Sequence, residues 1–247
     1  MARSKPTGSS KRPALSRAVI LDAAMRLSDD ERTVGLTLGR LSRDLGADPT
    51  AMYRHFRNKD ELILAMGDVL LAEAVAAFEP ASDWQDMLRN VAWAMRRAFL
   101  ARPALALQVF ARFTGGEAEA VNVQHTVGAL ELAGLDYDEA AKQSRAFTEM
   151  VLGHIGVTAT LLTLSQEQQE LDVTLGLRVY ARPGNHPSRA EVRTHLATAA
   201  ENEDEVFRVM LETYLDGIAA QIASSGRSAA GRSAGRRART RATPAAS

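Results

Sequence analysis

The stretch that decides the fold covers residues 37–59 and reads TLGRLSRDLGADPTAMYRHFRNK. It has the pattern of two short helices joined by a tight turn at residues 46–48. Thr37 is expected to cap the first helix and Gly46 to end it, because a left-handed backbone costs least at glycine. Asp48 and Pro49 are expected to cap and open the second helix. The pattern predicts a helix-turn-helix, a motif that places one helix in the major groove of DNA.

The two helices need an apolar core and leave an outward polar face. The expected core residues are Leu38, Leu41, Leu45, Met52 and Phe56. The outward residues of the second helix are Thr50, Ala51, Tyr53, Arg54 and His55. Arginine can donate two hydrogen bonds to guanine, and the methyl group of threonine or alanine can pack on that of thymine. The pattern alone also fits a helical hairpin with a solvated basic face, so both interpretations stay open.

Helical spacing continues on both sides of this stretch. Ser16 is expected to cap a helix over about residues 17–28, and Asn58 with Glu61 forms a capping-box pattern for a helix that ends near residue 78. Further helices are predicted over about 83–101, 103–113, 117–133, 136–165, 188–200 and 203–223. Residues 171–180 are also compatible with an extended segment, and residues 182–187 with a loop. Because no strand is convincing, the sequence predicts an all-α fold.

Composition divides the chain into four regions. Residues 1–15 are predicted to be a disordered basic arm, and residues 16–62 the helix-turn-helix domain. Residues 63–223 are predicted to form a larger helical domain. Residues 224–247, SSGRSAAGRSAGRRARTRATPAAS, are of low complexity and are predicted to be a disordered Arg-rich tail.

The formal net charge of zero conceals an uneven distribution. Residues 1–60 contain 12 Lys or Arg and seven Asp or Glu, whereas residues 61–223 contain 12 Lys or Arg and 23 Asp or Glu. Residues 224–247 contain six Arg and no acidic residue. A basic N-terminal module on an acidic body fits a polyanionic partner for the module alone. For the tail, a basic end without a specific partner is the preferred interpretation.

No feature of the sequence points to catalysis. There is no cysteine, which excludes disulfides and thiolate metal sites. The GxSxG, GxGxxG and P-loop motifs are missing, and the five histidines have no carboxylate at metal-ligand spacing. We therefore expect no enzyme activity, no cofactor and no metal. The N-terminus lacks a secretion signal and no apolar run approaches a bilayer-spanning length, so a cytoplasmic protein without a membrane partner is expected.

Residues from about 16 to 67 resemble the DNA-binding domain of the TetR (tetracycline repressor) family of bacterial transcription regulators. The Tyr-x-His-Phe-x-Asn-Lys run at residues 53–59, at the expected distance after a Leu-Gly turn, is the specific part. Two positions depart from the family pattern. Ser42 stands where the family usually has alanine, and Gly39 lies inside a helix that it weakens by about 1 kcal/mol. The matching residues are Ile20, Ala23, Ala24, Leu27, Thr37, Leu41, Leu45, Gly46, Pro49, Tyr53, His55, Phe56, Asn58, Lys59, Glu61 and Leu62.

This resemblance implies a role on DNA for the matched positions. The residues implied to hold phosphates are Thr37, Tyr53 and Lys59. The residues implied to face bases are Thr50, Ala51, Arg54 and His55, with Arg40 near the groove edge. Four further cations lie in the arm and at its end: Lys5, Lys11, Arg12 and Arg17. For Lys11, Arg12 and Arg17, contact with DNA and simple solubilisation are equally open.

The resemblance also implies that residues 63–223 bind a ligand and dimerise. Apolar helices around residues 147–162 and 206–218 are expected to pair with those of a second copy, although the same faces also fit an intramolecular core. The expected ligand-binding residues are Trp93, Phe110, Phe113, Phe147, Met150 and His154. The candidate polar anchors are Gln108, Asn122, His125, Thr126, His154 and Thr158. For any single anchor, a core or surface position is the plainer interpretation.

Together these features predict a homodimeric transcription regulator, expected to be a repressor. It is predicted to bind a palindromic double-stranded DNA operator and to be released by a small, mostly apolar effector. A constitutive or nucleoid-type DNA-binding protein without an effector is the alternative. A helical protein-interaction module with an incidental basic hairpin is a third, weaker interpretation.

Overall fold

The computed structural model describes residues 15–29, 36–180 and 199–241. Every regular element in these ranges is a helix, which confirms the all-α prediction. Three earlier predictions fall largely outside the described residues: the basic arm, the loop at 182–187 and the helix at 188–200.

The described helices are numbered here in chain order. The N-terminal helices are α1 (Arg17–Asp29), α2 (Leu38–Asp44), α3 (Pro49–Met52) and α4 (Lys59–Ala76). The helices of the body are α5 (Trp84–Leu100), α6 (Pro103–Val109), α7 (Glu117–Leu132), α8 (Tyr137–Thr163), α9 (Gln166–Tyr180) and α10 (Ala199–Arg241).

The helices α1 to α3 enclose a small core of the kind predicted for a helix-turn-helix. Ile20 of α1, Leu41 of α2 and Met52 of α3 are fully buried, and so is Phe56 just after α3. Leu62 continues this core into α4. Since α4 contributes to the core, the helix-turn-helix is fixed to the helix that follows it.

The helix α4 connects the two parts of the molecule. Its contacts include α1 on the DNA-binding side and α5, α6 and α7 on the body side. Met66 and Leu70 are fully buried along it. A displacement of α4 against the body therefore carries the helix-turn-helix with it.

The helix α8 is the centre of the body and contacts α5, α6, α7 and α10. By length and composition alone it is also the one helix, among the described residues, apolar enough to cross a membrane. Its apolar residues Phe147, Val151, Ile155 and Ala159 are fully buried against the neighbouring helices. This packing is that of a core helix.

Two segments differ from the predicted secondary structure. Residues 166–180 form α9 and are not extended, and the run QEQQEL at its start consists of good helix formers. The last helix continues to Arg241, whereas a disordered tail was predicted from Ser224. Alanine and arginine, which have high helix propensity, are frequent in this segment and favour the helix, whereas its glycines oppose it.

Candidate functional site

Three side chains of residues 37–59, called the recognition element below, cap helices as the sequence predicts. The hydroxyl of Thr37 accepts a hydrogen bond from the backbone N–H of Arg40 at 3.1 Å, which starts α2. The carboxylate of Asp48 accepts from the N–H of Thr50 at 2.7 Å, which starts α3. The side chain of Asn58 accepts from the N–H of Glu61 at 2.8 Å, which starts α4. Each cap fixes where its helix begins and therefore which side chains face outward.

The turn between α2 and α3 depends on Gly46, whose φ of 60° is the left-handed conformation expected there. The N–H of Ala47 then donates to the carbonyl oxygen of Ser42 at 2.8 Å. Ser42 itself is fully buried, and its hydroxyl donates to the carbonyl oxygen of Gly39 at 3.0 Å. The serine found where alanine is usual therefore has its hydrogen bond satisfied within α2.

The helix α3, which was predicted to enter the major groove, is shorter than its predicted outward residues at 50–55 required. It ends at Met52, and residues 53–55 form a turn. The N–H groups of His55 and Phe56 both donate to the carbonyl oxygen of Met52, each at 3.0 Å. This tight turn brings Phe56 back into the core and leaves Tyr53 with 57% of its surface exposed.

All the residues predicted to bind DNA reach the surface of this element. The exposed ones are Thr37, Arg40, Thr50, Tyr53 and Arg54, and the half-buried ones are Ala51, His55 and Lys59. Arg40, Arg54 and Lys59 form no ion pair with any residue that the structure describes, whereas Arg57 pairs with Glu61 at 3.2 Å. This surface, called the recognition face below, thus presents three cations without a carboxylate partner beside the phenol of Tyr53 and the hydroxyls of Thr37 and Thr50.

Arg17 has a structural position that the sequence analysis missed. Its guanidinium donates to the carbonyl oxygen of His55 at 2.8 Å and to Glu61 at 3.1 Å, and it lies 4.2 Å from the centre of the Phe56 ring. The backbone N–H and guanidinium of Arg57, together with Arg17, lower the pKa of Glu61 to about 2. Arg17 therefore links α1 to the turn after α3 and is not an unpaired cation of the arm.

A cavity of 460 Å³ lies in the body between α5, α7, α8 and the segment that joins α6 to α7. Most of its walls are apolar, and the main apolar residues are Leu71, Met95, Phe99, Val109, Phe110, Phe113, Val123 and Leu152. The polar or charged residues at its walls are Arg112, Thr114, Glu119, Asn122, Ser144, Arg145, Thr148 and Glu149. Its size and lining are those of a small-molecule site.

Only Phe110 and Phe113 of the six expected ligand-binding residues line this cavity. Phe147 is fully buried, and its ring lies 6.0 Å from that of Tyr214 of α10. Trp93 and His154 both pack on Phe207, at ring distances of 4.8 and 5.0 Å. Met150 packs against the core and does not reach the cavity. The four residues share the apolar faces of α5 and α8, but those faces meet α10 as well as the cavity.

The cavity wall is tied to α4 at two points. The guanidinium of Arg112 forms a two-pronged pair with the carboxylate of Asp60, at 2.5 and 2.8 Å. About two turns further along α4, the carboxylate of Asp68 accepts from the hydroxyl of Thr114 at 3.0 Å and from the N–H of Glu119 at 3.1 Å. Arg112 and Thr114 both line the cavity, and Asp60 lies next to Lys59.

These two links had no local signal in the sequence, because the partners are about 50 positions apart. The pKa of Asp60 is lowered chiefly by its hydrogen bonds with Arg112. Gly116 leaves the space that Asp68 occupies, since a Cβ atom there would overlap its carboxylate. The nearest hint in the sequence is the Thr-Gly-Gly run at residues 114–116, which predicts a turn before α7.

A second polar cluster lies between α8 and α10. The hydroxyl of Thr158 donates to the carboxylate of Glu203 at 2.8 Å, and Nε2 of His154 lies 3.5 Å from the same carboxylate. Burial lowers the pKa of His154, with the charge of Glu203 opposing that shift. Arg96 pairs nearby with Asp204 at 2.8 Å. Among the described residues, no group of three or more His, Asp or Glu side chains is placed to hold a metal ion.

Comparison with family models gives two matches that together cover most of the chain. The model described as bacterial regulatory proteins, tetR family, matches residues 20–66. The model described as tetracyclin repressor-like, C-terminal domain, matches residues 78–222. The first contains the recognition element, and the second contains every lining residue of the cavity except Leu71.

Among curated proteins, an HTH-type transcriptional repressor of Mycobacterium tuberculosis is 29% identical over 151 residues, which is 59% of this chain. The chain spans only 58% of the length of that relative.

Among solved structures, the ActR protein of Streptomyces coelicolor in complex with (S)-DNPA has a TM-score of 0.66 at 22% identity. The match covers 84% of this chain and 98% of that one. BioQ with its double-stranded DNA operator has a TM-score of 0.58 at 23% identity, covering 83% and 99%; a matching BioQ comes from Mycobacterium smegmatis. At these identities the two structures show a shared fold.

Proposed function

The chain belongs to the TetR family of bacterial transcription regulators, and on that premise we propose that it is a dimeric repressor released from its operator by a small, mostly apolar effector. The DNA contact is assigned to the recognition element, and effector binding to the cavity in the body. The relatives agree with this proposal in kind, since the M. tuberculosis relative is named a repressor and BioQ is seen with its operator.

The observation that carries the proposal is the set of unpaired cations on the recognition face. An exposed arginine, such as Arg54, can donate two parallel hydrogen bonds to guanine in the major groove. We assign phosphate contacts to Arg40 and Lys59 and to the hydroxyl groups of Tyr53 and Thr37, because phosphate contacts come from Lys, Arg and hydroxyl side chains. A cation that is paired with a carboxylate, as Arg17 and Arg57 are with Glu61, would have to give up that pair to bind DNA. Arg40, Arg54 and Lys59 have no carboxylate partner among the described residues, so they have no such pair to lose.

A second copy is needed because a single recognition helix of this length makes few base contacts. The inward residues of α10, which include Phe207, Leu211 and Leu215, are fully buried. Its outward residues Val206 and Val209 are 46% and 51% exposed. The exposed apolar residues Val157 (59%) and Leu162 (51%) belong to α8. These outward faces are the proposed dimer surface, which sedimentation of wild type and of Val209→Asp would test.

Effector release is proposed to act through the two links between the cavity wall and α4. A ligand that enters the cavity meets Arg112 and Thr114, whose side chains hold Asp60 and Asp68. If the ligand prefers a conformation in which these bonds change, α4 and the recognition element move together. The ligand can shift the equilibrium between the two conformations only by the difference in its binding free energy for them.

Selection of bound duplexes from a random DNA pool by the purified full chain tests the proposal. The expected product is a palindrome whose half-sites lie about one helical turn apart, or a multiple of that spacing, because a two-fold dimer reads two such sites. Enrichment of single half-sites would contradict the dimer. Binding without enrichment of any sequence would contradict the regulator and favour a nucleoid-type protein.

A further inference from the structure

We propose that the cavity takes an uncharged ligand, with an apolar body and a hydrogen-bonding carbonyl or hydroxyl group that meets Asn122. This inference rests on the proposed function only in treating the cavity as the effector site. It goes further by naming the chemical class of the ligand, and it is drawn from how the charged and polar atoms of the lining are already satisfied.

Every charged side chain at the cavity has a partner within the protein. Arg112 is held in two hydrogen bonds by Asp60. Arg145 pairs with Glu149 at 2.7 Å. The carboxylate of Glu119 accepts from the N–H groups of Thr114 and Gly115, at 2.9 and 2.7 Å. The lining therefore has two cations and two anions, and none of them is left over for an ionic ligand.

The location of these charges matters as much as their pairing. Arg145 and Glu149 are both about two-thirds exposed, so water solvates them at the mouth of the cavity. Deeper in, the walls are formed by fully or almost fully buried apolar side chains such as Met95, Phe99 and Val109. A charged group that entered this region would lose its hydration without gaining a counter-charge, which is costly.

Asn122 is the one polar side chain of the lining that is both deeply buried and poorly satisfied. It is 5% exposed, and its amide N–H donates only to the sulfur of Met95, at 3.5 Å. A thioether is a weak acceptor. By contrast, the hydroxyl of Ser144 is already bonded to that of Thr126 at 2.5 Å. A ligand oxygen offers Asn122 a much better partner than the sulfur does.

Two probes with the same anilinonaphthalene skeleton test the proposal. N-phenyl-1-naphthylamine is neutral, and 1-anilinonaphthalene-8-sulfonate carries one negative charge. Each is titrated into the full chain, and the increase in its fluorescence gives its affinity. The neutral probe is expected to bind the cavity at least about tenfold more tightly than the sulfonate.

A pair of glycine variants restricts the comparison to the cavity. Gly153 lines it, and a Cβ there would meet nothing within 4 Å, so Gly153→Leu adds bulk to the cavity wall from an unobstructed Cβ. Gly128 of α7 is equally unobstructed but does not line the cavity, so Gly128→Leu is the matched control. Only fluorescence that Gly153→Leu removes and Gly128→Leu retains is counted.

A third variant tests the role of Asn122 with 1-benzoylnaphthalene, a neutral ketone analogue of the probe. Asn122→Leu is expected to lower the affinity for this ketone by about tenfold. The affinity is measured by displacement of the fluorescent amine.

Equal or tighter binding of the sulfonate to the cavity would overturn the proposal, and so would a neutral probe that Gly153→Leu does not displace. An unchanged affinity of the ketone in Asn122→Leu would overturn the role of that side chain. These results do not depend on DNA. Failure of the repressor proposal appears separately, as the absence of an enriched sequence in the selection experiment.

Discussion

On the recognition face, Arg40, Arg54 and Lys59 have no carboxylate partner among the described residues, whereas each charged side chain of the cavity has a partner within the protein. The two regions are joined by α4, whose first turn carries both Lys59 and the Arg112 partner Asp60. Unpaired cations favour a polyanion, and paired charges in an apolar wall favour a neutral molecule. If the proposed function holds, the chain separates its two ligands by where it leaves charge unneutralised.

The largest expected effect comes from removing a cation of the recognition face. Arg54→Ala is expected to cost roughly 1–3 kcal/mol per half-site on the selected operator and to relax the base preference at one position. Arg26→Ala is the control, since Arg26 is exposed on α1 and already pairs with Asp22. Binding isotherms on the operator and on a scrambled duplex measure both terms. An unaltered base preference in Arg54→Ala would contradict the proposed contact of Arg54 with a base.

A second variant tests whether the link between Asp68 and the cavity wall stabilises the body. In Gly116→Ala the new methyl group overlaps the Asp68 carboxylate, which must give up its bonds to Thr114 and Glu119. Loss of partly buried hydrogen bonds of this kind is expected to lower the free energy of unfolding by roughly 1–3 kcal/mol.

Denaturant unfolding measures this loss, with Gly128→Ala as the control. Nothing lies within 4 Å of a Cβ at Gly128, so alanine is expected to raise helix stability there by up to about 1 kcal/mol. If Gly116→Ala were as stable as wild type, the link between Asp68 and the cavity wall would contribute nothing to the fold.

A smaller effect is expected from pH, through the cluster between α8 and α10. Burial lowers the pKa of His154 below its usual value of 6.5, so the unfolded chain takes up a proton more readily than the folded one. The free energy of unfolding is therefore expected to fall as pH decreases from about 6.5 towards the lowered value, by at most about 1.4 kcal/mol per pH unit.

Comparison of two histidine variants isolates this contribution. His154→Gln is expected to show a flatter dependence of unfolding free energy on pH below 6.5 than wild type. His125→Gln, which replaces the histidine stacked on Phe78 outside this cluster, is the control. A wild-type slope in His154→Gln would mean that His154 is not buried as a neutral group.

The local features of the recognition element were predictable because their causes are local. Thr37, Asp48 and Asn58 cap helices within three residues of themselves, and Gly46 takes the left-handed conformation that its position requires. The short α3 was not predicted, since its end depends on Phe56 turning into a core shared with α1. Residue type alone did not reveal that constraint.

The cavity was predicted only in part, for a related reason. Helical spacing indicates that Phe110 and Phe147 both point towards the interior of the body. It does not show which neighbouring helix each side chain meets. Phe110 faces the cavity and packs closely on Gly156, whereas Phe147 packs towards α10. The links from Asp60 and Asp68 to the cavity wall join residues about 50 positions apart, and periodicity carries no information on such pairs.

The salt dependence of operator binding tests whether Arg40 and Lys59 of the recognition face contact DNA phosphates as proposed. The measured quantity is the slope of log Kobs against log salt concentration for wild type and for the Arg40→Ala/Lys59→Ala double variant. We expect the slope to become shallower by about 3–4, because a dimer would lose four phosphate contacts at about 0.9 each. A slope equal to that of wild type would contradict those contacts.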